Sequence, residues 1–354
     1  MLKSILFKEH SLPQFVNFFV TNRCNLTCKH CFYSSELNKP VAELSLEEIR
    51  KMSSTMGDFP IMNFSGGEPF LRKDLADIAG TFYRQNHIKY LSTPTNGSLT
   101  RATVESVERI ASECSNLSIG VNFSVDGLEK EHAEMRESAT SFGKVFETFG
   151  RLKELRGKYK NLKLGFITTY AQTNQNIIED LYEFLKSQDP DNININLIRG
   201  NPKDPSQKDI DYERYKRITQ KIEKDLLSHK LRGYGSFRAL MAVHRVQTAK
   251  KIFEKGYLSE CYASRLSCVL QPNGDVVTCE LHYPDKIIGN IRDFDFNFPR
   301  LWHSSRNKEF AKWVKDSRCF CTQECQITCN TIFNPSHLVR IGAKALSSSL
   351  SLKN

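Results

Sequence analysis

Residues 15–33 read FVNFFVTNRCNLTCKHCFY, an apolar run that is followed at once by three closely spaced cysteines. The run at 15–21 consists largely of aromatic and β-branched residues, which favour a strand. Cys24, Cys28 and Cys31 then fall on the loop after it. In parallel β/α folds such a loop lies at the carboxyl ends of the strands, where active sites assemble. The stretch therefore predicts an α/β fold with a chemically active first loop.

Apolar runs and amphipathic stretches continue to alternate up to about Arg199. The candidate strands are residues 15–21, 61–65, 89–96, 117–126, 162–170 and 195–200. The helical patterns between them lie near residues 45–56, 73–85, 100–112, 142–155 and 177–187. The first helical pattern opens with Ser45-Leu-Glu-Glu48, which predicts a capping box. Six β/α units in succession predict a parallel sheet, open or curled into a partial barrel.

A different pattern follows residue 200. Residues 201–209 predict a polar linker, and a basic helical stretch then runs from about 212 to 255 with a break at 232–236. Residues 268–279, CVLQPNGDVVTC, predict a hairpin, because Asn273-Gly274 is a strong two-residue turn signal. A further helix is expected near residues 305–315.

Length and composition fit one barrel-sized domain with a smaller partner. The chain has 354 residues, of which 40% are apolar and 25% charged, as is ordinary for a globular protein. We expect the first domain at 1–211, the second at 212–340 and a flexible tail at 341–354.

The bulk properties also favour a cytoplasmic protein. No apolar run approaches the roughly 18 residues that a membrane span needs, and no signal peptide is evident. The formal charge of +10 fits a solvated basic surface better than a polyanion site. Nucleic acid is an unlikely partner, because the strands carry no basic–aromatic recognition stripe.

Ten of the eleven cysteines fall in three groups, at 24–31, 261–279 and 319–329. Disulfides rarely persist in the cytosol, so grouped cysteines indicate metal or iron–sulfur binding. Three thiolates on one loop can each hold one iron of a [4Fe-4S] cluster and leave the fourth iron open. The alternative is zinc with His30 as fourth ligand, although its adjacency to Cys31 makes tetrahedral closure awkward. Cys114 stands alone, as a buried small residue would.

The first loop, C-x3-C-x2-C followed by an aromatic residue, resembles the radical S-adenosylmethionine (SAM) superfamily. Four further segments match that family in order: FSGGEPFL (64–71), TNG (95–97), FSVDG (123–127) and HAEMRES (132–138). Taken singly, SGGEP could be a strand-to-helix turn, and the aspartate–glycine pair an ordinary turn. The resemblance implies a partial (β/α)6 TIM-like barrel at 1–211.

The resemblance also implies a set of cofactor-binding residues. Cys24, Cys28 and Cys31 would hold the SAM-binding [4Fe-4S] cluster. The residues expected around SAM are Gly66, Gly67 and Glu68 near the methionine amino group, Asn96, Ser124 and Asp126 along the methionine and ribose, and Arg136 near the carboxylate. For Arg136, a solvated charge at a helix end is the alternative.

The distal cysteines resemble those of SPASM and Twitch domains, which are small α+β domains holding auxiliary iron–sulfur clusters. This chain has C-x-C-x3-C-x3-C, whereas SPASM favours C-x2-C-x5-C-x3-C with a further cysteine beyond. The resemblance implies one auxiliary [4Fe-4S] cluster held by Cys261, Cys279 and two of Cys319, Cys321 and Cys325. Cys268 and Cys329 could complete a second cluster, and a zinc-stapled hairpin is the alternative.

The resemblance implies an oxidoreductase that cleaves SAM reductively to a 5′-deoxyadenosyl radical and removes a substrate hydrogen. We expect it to oxidise a small-molecule or carrier-linked substrate, with the auxiliary cluster as electron acceptor and a flavodoxin or ferredoxin as electron donor. Only about 14 residues precede the first strand, which disfavours a leader-binding domain. The alternatives are a peptide- or protein-modifying maturase (cross-linking, epimerisation or residue oxidation) and, more remotely, a zinc-stapled non-enzymatic binding protein.

Three residues are candidates to orient the substrate or take its proton. Arg199 ends the sixth predicted strand, and His282 and Tyr283 follow Cys279 closely. Ordinary packing between the two domains is the alternative for all three.

Overall fold

The computed structural model describes residues 12–228, 236–339 and 341–342. Nine strands in this part of the chain form a single sheet. They are β1 (Phe15–Thr21), β2 (Ile61–Gly66), β3 (Tyr90–Thr95), β4 (Ser118–Ser124), β5 (Leu162–Tyr170), β6 (Asn192–Leu197), β7 (Ser267–Leu270), β8 (Asp275–Val277) and β9 (Ile287–Asn290). Their order across the sheet is β6-β5-β4-β3-β2-β1-β7-β8-β9.

Helices connect the consecutive parallel strands and then build the second half of the chain. The first set is α1 (Leu46–Ser53), α2 (Leu75–Asn86), α3 (Thr100–Glu113), α4 (Glu129–Arg136), α5 (Ser141–Lys158) and α6 (Ile178–Ser187). The second set is α7 (Tyr212–Leu227), α8 (Ser236–Lys255), α9 (Phe298–Trp302), α10 (Ser305–Asp316) and α11 (Glu324–Ile332). None of the helices in the described ranges is long and apolar enough to cross a membrane.

The first six strands are parallel and lie side by side in chain order. Strand β1 is buried along its whole length, whereas β6 at the end of the sheet buries alternate residues. In β6, Ile193, Ile195 and Leu197 are buried, while the asparagines between them are half-buried. The two ends of the sheet, β6 and β9, do not pair, so the barrel stays open. The predicted α/β fold with a partial TIM-like barrel is confirmed.

The sheet continues into the second predicted domain. β7 pairs in parallel with β1, from Phe15↔Ser267 to Phe18↔Leu270, and β8 and β9 follow as antiparallel strands. The first strand therefore has the other five parallel strands of the open barrel on one side and the distal cysteine region on the other. This pairing brings the first cysteine loop and the later cysteines toward the same part of the molecule.

The hairpin turn differs from its prediction. Gln271 N donates to Asp275 O at 2.8 Å, and Gly274 N donates to Gln271 O at 3.0 Å. The loop thus contains three residues, Pro272 to Gly274, rather than the two expected. The physical reason is the proline, whose fixed φ favours the second position of a type I turn, with Gly274 then taking a positive φ of 90°.

Two elements of the first domain differ from their prediction, and two predictions for the second half of the chain fall largely outside the described residues. The sixth strand begins at Asn192, three residues before its predicted start, because the NININL alternation already fits a half-buried strand. Helix α4 was not predicted; its charged sequence buries only three side chains, at 132, 135 and 136. The predicted break at 232–236 falls on undescribed residues except for Ser236, and of the predicted tail only residues 341–342 are described.

The predicted capping box is present and extends into the second half of the chain. Glu48 N donates to Ser45 Oγ at 3.2 Å, and Ser45 N donates to Glu48 Oε2 at 2.8 Å. The same carboxylate accepts from Arg292 Nε at 2.6 Å and from Arg292 Nη2 at 3.1 Å. The Arg292 hydrogen bonds lower the pKa of Glu48 to about 2, against a smaller opposing effect of burial.

We expect Glu48→Gln to destabilise the protein by about 1 kcal/mol at neutral pH. Because the folded-state pKa lies below the unfolded value of 4.5, the stabilisation is present above pH 4.5 and disappears as pH falls toward about 2. Denaturant unfolding of both proteins across this range would measure it. Glu47→Gln is the matched control, since its exposed carboxylate pairs only with Lys51. A wild-type-to-variant difference that grew on acidification would contradict this account.

Candidate functional site

The two glycines after β2 lie against the backbone that leads into the first cysteine loop. Gly67 N donates to Thr21 O at 2.9 Å, and Gly66 adopts a φ of 116°. A Cβ on Gly66 would lie 2.1 Å from Thr21 O, and one on Gly67 would lie 2.0 Å from Arg23 O. Real side chains cannot approach so closely, so both positions require glycine. The GG pair therefore fixes the backbone immediately before Cys24.

Glu68 joins the ends of two strands beneath this loop. Its buried carboxylate accepts hydrogen bonds from Thr95 Oγ1 at 2.9 Å and from Asn96 N at 2.7 Å. Burial raises the pKa of Glu68, and these hydrogen bonds act in the opposite direction. Asn96 in turn donates from Nδ2 to Asn25 Oδ1 at 2.9 Å. The GGE and TNG segments are thus hydrogen-bonded to each other, and the TNG segment contacts the cysteine loop through Asn25.

Asp126 and Arg136 form a buried ion pair next to Cys28. Arg136 donates to Asp126 Oδ2 from Nε at 2.8 Å and from Nη2 at 2.6 Å, and its Nη1 lies 3.8 Å from Cys28 Sγ. Thr169 N donates to Asp126 Oδ1 at 2.8 Å. Burial alone would raise the pKa of Asp126, but Arg136 and His30 outweigh it and hold the value at about 2. The positive guanidinium is thereby fixed beside a thiol that iron would bind as thiolate.

Two buried histidine nitrogens at this site lack a hydrogen-bond partner: His30 Nδ1 and His132 Nε2. Their other nitrogens face Asp126, at 3.4 Å from Oδ2 for His30 and at 3.2 Å from N for His132. Burial lowers the pKa of both rings, to about 3 for His132. Unpaired buried polar atoms are costly, and a polar ligand at the site would relieve that cost.

The three thiols of the first loop are free, and Cys28 is buried. Burial raises the pKa of Cys24 to about 11 and that of Cys31 to about 12. Iron binds the thiolate, so cluster binding at this loop must release protons. Three cysteines on one rigid loop, with a fixed arginine beside them, fit a [4Fe-4S] cluster with three protein ligands. Ser124 lies half-buried at the end of β4, two residues before Asp126.

A second group of four free cysteines is formed by Cys261, which precedes β7, and by Cys279, Cys319 and Cys321, which follow it in the chain. Cys261, Cys279 and Cys319 pack in one small cluster with Val314. Burial raises the pKa of Cys321 to about 12, and the neighbouring thiol of Cys261 raises it further. Cys261, Cys319 and Cys321 line one small cavity. The group fits a four-thiolate cluster.

No three His, Cys, Asp or Glu side chains in the described ranges converge closely enough to hold a single metal ion. The thiolates that hold a [4Fe-4S] cluster lie farther apart than the ligands of a single metal ion, because each thiolate binds a different iron.

The other predicted cysteine ligands pack in different hydrophobic clusters from this group. Cys268 is part of the main core, and Cys329 is fully buried beside Phe15 and Tyr262. Cys325 packs against the latter cluster, and Asn63 Nδ2 lies 3.6 Å from its sulfur. Cys114 is buried in the main core, as predicted from its isolation in the sequence.

Arg199 lies at the junction of the two cysteine regions. Its guanidinium is 3.6 Å from Glu280 Oε1 and 3.4 Å from Glu324 Oε2, and it lies over the ring of Phe32, 5.3 Å from the centroid. Phe32 follows Cys31 directly, and Glu280 follows Cys279. Burial raises the pKa of both carboxyl groups, while Arg199 opposes that shift. We call Arg199, Glu280 and Glu324 the junction trio.

The junction trio was only partly predicted. Arg199 was a candidate, but Glu280 and Glu324 were missed, although Glu280 is the first residue of the same ELHY segment that supplied His282 and Tyr283. His282 instead lies beside the second cysteine group, with Nε2 3.6 Å from Cys319 Sγ and its ring edge-on to Trp313. Tyr283 packs in a cluster with Phe19 and Tyr33. The adjacency of an acidic residue to Cys279 was the available signal.

Gly67→Ala is expected to displace the backbone at Arg23, since the new methyl would overlap its carbonyl oxygen. Forced backbone shifts of this kind cost about 1–3 kcal/mol, and we expect reduced iron retention at the first loop as well. Thermal unfolding and iron analysis of the reconstituted protein would measure both. Gly150→Ala is the control, because nothing lies within 4 Å of that Cβ and alanine favours helix α5. Equal iron retention and stability in wild type and Gly67→Ala would refute the close-approach argument.

Two family models match this chain. Residues 18–185 match the model of the radical SAM superfamily, and residues 261–330 match that of the SPASM iron–sulfur cluster-binding domain. The two matched ranges together contain all eleven cysteines: the first loop and Cys114 fall in one range, and the distal seven fall in the other.

Similar proteins are found among curated sequences and solved structures. Fe-coproporphyrin III synthase of Methanosarcina barkeri is 27% identical over 172 residues, covering 48% of this chain and 40% of that protein. The antilisterial bacteriocin subtilosin biosynthesis protein AlbA of Bacillus subtilis is 22% identical over 320 residues, covering 87% of this chain and 65% of AlbA. The chain thus spans less than two thirds of either relative.

Among solved structures, Streptococcus suis SuiB bound to its precursor peptide SuiA has a TM-score of 0.61 at 15% identity. The match covers 91% of this chain and 72% of SuiB. At this identity the similarity establishes the fold.

Proposed function

This chain belongs to the radical SAM superfamily and carries a C-terminal SPASM domain, and from that premise we propose that it oxidises an alcohol or amine carbon of a small-molecule or carrier-linked substrate. The cofactors of these two domains are a SAM-binding [4Fe-4S] cluster, SAM itself and auxiliary iron–sulfur clusters. When bound, they supply a 5′-deoxyadenosyl radical that removes a substrate hydrogen atom and an auxiliary cluster that takes up one electron.

We propose the following residues to hold these groups, and the site geometry supports several of them. Cys24, Cys28 and Cys31 would bind the first cluster, with Arg136 offsetting their negative charge. The SAM-facing residues would be Gly66, Gly67, Glu68, Asn96, Ser124 and Asp126. Because Glu68, Asp126 and Arg136 are already engaged with protein partners, we infer that these three mainly position the loop and strand ends. For the auxiliary cluster we propose Cys261, Cys279, Cys319 and Cys321.

The observation that carries the proposal is the junction trio between the two cysteine regions. Its side chains are only 22%, 7% and 13% exposed for Arg199, Glu280 and Glu324. A charged group that is paired and buried in this way is well suited to orient one polar substituent of a substrate. Oxidation of an alcohol or amine releases a hydrogen atom, an electron and a proton, and we assign acceptance of the proton to the trio's carboxylates. A low-potential electron carrier such as a flavodoxin or ferredoxin would supply the reducing electron.

A peptide- or protein-modifying maturase is the second candidate. It is favoured by AlbA, because that relative matches 87% of this chain and so reaches both domains, whereas the M. barkeri synthase matches 48% of it.

Mass spectrometry of reaction products distinguishes the two candidates. The reconstituted full-length protein, SAM and a reductant would be incubated separately with a small-molecule fraction and with a peptide fraction of the source cells. We expect a small molecule or carrier-linked compound that is lighter by two hydrogens, formed with one 5′-deoxyadenosine per product. A modified peptide, with no change in the small-molecule fraction, would overturn the first candidate in favour of the second.

A further inference from the structure

An exposed apolar patch lies directly beside the second cysteine group. Phe320, between Cys319 and Cys321, is 53% exposed, and Leu258 is 39% exposed. Both line the cavity that Cys319 and Cys321 also line. A Cβ on Gly256 would lie 3.4 Å from the Phe320 ring, so this turn packs against it. We call Gly256, Leu258 and Phe320 the Phe320 patch.

Basic side chains surround the Phe320 patch. Lys255 immediately precedes Gly256 at the end of α8, and Lys251 lies one turn earlier. The Arg318 guanidinium lies over the Tyr257 ring, 4.6 Å from its centroid, and Arg318 N donates to Lys315 O at 3.1 Å. Lys251, Lys255, Lys315 and Arg318 are all exposed, and none of them forms an ion pair within the described ranges.

Two acidic residues near this rim are paired with basic side chains, and a third, Glu254, has no such ion pair within the described ranges. Glu260 pairs with Arg265 at 2.8 Å, and Asp316 pairs with Lys312 at 2.6 Å. Glu254 accepts a hydrogen bond from Tyr212 on α7. The rim therefore presents positive charge around an apolar centre, on a chain whose formal net charge is +10.

We propose that the Phe320 patch and its basic rim dock an acidic one-electron carrier protein of the flavodoxin or ferredoxin class. This inference rests on the proposed function, because oxidation of the substrate leaves one electron within the protein at each turnover. An oxidised carrier that docks here takes up that electron and becomes its one-electron-reduced form. The surface suits the task, since it lies against Cys319 and Cys321.

The form of the surface matches this type of partner. Transient redox complexes bury small areas, and complementary charge governs their rate and orientation more than their affinity. A small apolar centre with a charged rim fits such a complex. A second copy of this chain is disfavoured as the occupant, because it would bring the same positive rim against this one.

Binding of an acidic bacterial flavodoxin to the reconstituted full-length protein tests the proposal. Affinity would be measured by NMR titration of labelled flavodoxin, first at low salt and then at about 0.3 M, where screening is strong. We expect Lys255→Glu to weaken binding by about tenfold at low salt and to flatten the salt dependence. Phe320→Ala should weaken binding several-fold at both salt concentrations. Lys160→Glu, an exposed lysine before β5, is the charge-matched control and should bind like the wild type.

Several results would overturn the proposal. One is wild-type affinity in both Lys255→Glu and Phe320→Ala, and another is an equal loss in Lys160→Glu. A third is a wild-type dimer that Phe320→Ala dissociates while flavodoxin binding persists, which would make the patch a self-association surface. Failure of the proposed function would look different: no 5′-deoxyadenosine would form with dithionite as reductant, whatever the flavodoxin affinity.

Discussion

Cys28→Ala is expected to reduce 5′-deoxyadenosine formation from SAM to below about one thousandth of the wild-type rate. Cys28 is buried, at 8% exposure, and it is the first-loop thiol beside Arg136. Removal of its sulfur leaves two cysteines on the loop and a buried guanidinium without its thiolate partner. A cluster with a missing ligand is expected to be lost or held in a form that cannot bind SAM.

The assay is anaerobic, with dithionite as the reductant and iron measured on the same samples. Cys114→Ala is the matched control, because Cys114 is also buried but lies in the main core rather than in either cysteine group. That variant should retain wild-type iron and wild-type cleavage. Undiminished cleavage by Cys28→Ala would remove the first loop from the proposed cluster site.

Arg199→Gln is expected to lower substrate turnover by about 10²-fold. A substrate that is displaced by about 1 Å from its reactive position can lose that much in rate. Cleavage of SAM in the absence of substrate should stay within about threefold of wild type, since Arg199 contacts Glu280 and Glu324 and not the SAM-facing residues. Arg199→Lys keeps the charge but loses the planar fork, so we expect an intermediate loss.

Loss of Arg199 also leaves two buried carboxylates without their partner, which is destabilising. The double variant Arg199→Gln with Glu324→Gln removes one of them and should recover stability without recovering turnover. Thermal unfolding separates that effect from catalysis. If substrate-dependent and substrate-independent activities fell in parallel, Arg199 would have only a structural role.

The parts of the site that the sequence predicted are those carried by short segments. The C-x3-C-x2-C loop, the GGE segment and the capping box each lie within eight residues, so their local geometry follows from spacing and residue type. Gly66 and Gly67 illustrate this well. A strand-to-helix turn was one interpretation of these glycines, and the structure shows the backbone carbonyls that they approach.

Contacts between distant segments could not be predicted in the same way. Asp126 and Arg136 were both expected at the site, but their pairing with each other depends on how α4 folds back after β4. Glu324 meets Arg199 only because β7 pairs with β1 and carries the second half of the chain to the barrel. The two-residue hairpin prediction was wrong for a local reason. Pro272 takes the second position of a type I turn, so the loop includes Pro272 as well as Asn273 and Gly274.

Anaerobic reconstitution of the full-length wild-type protein tests the central claim most directly. We predict a brown protein with about eight iron and eight sulfide per chain, the content of two [4Fe-4S] clusters, that forms 5′-deoxyadenosine and methionine from SAM once reduced. A colourless protein that holds stoichiometric zinc, or an iron-loaded protein that leaves SAM intact under strong reductant, would contradict it.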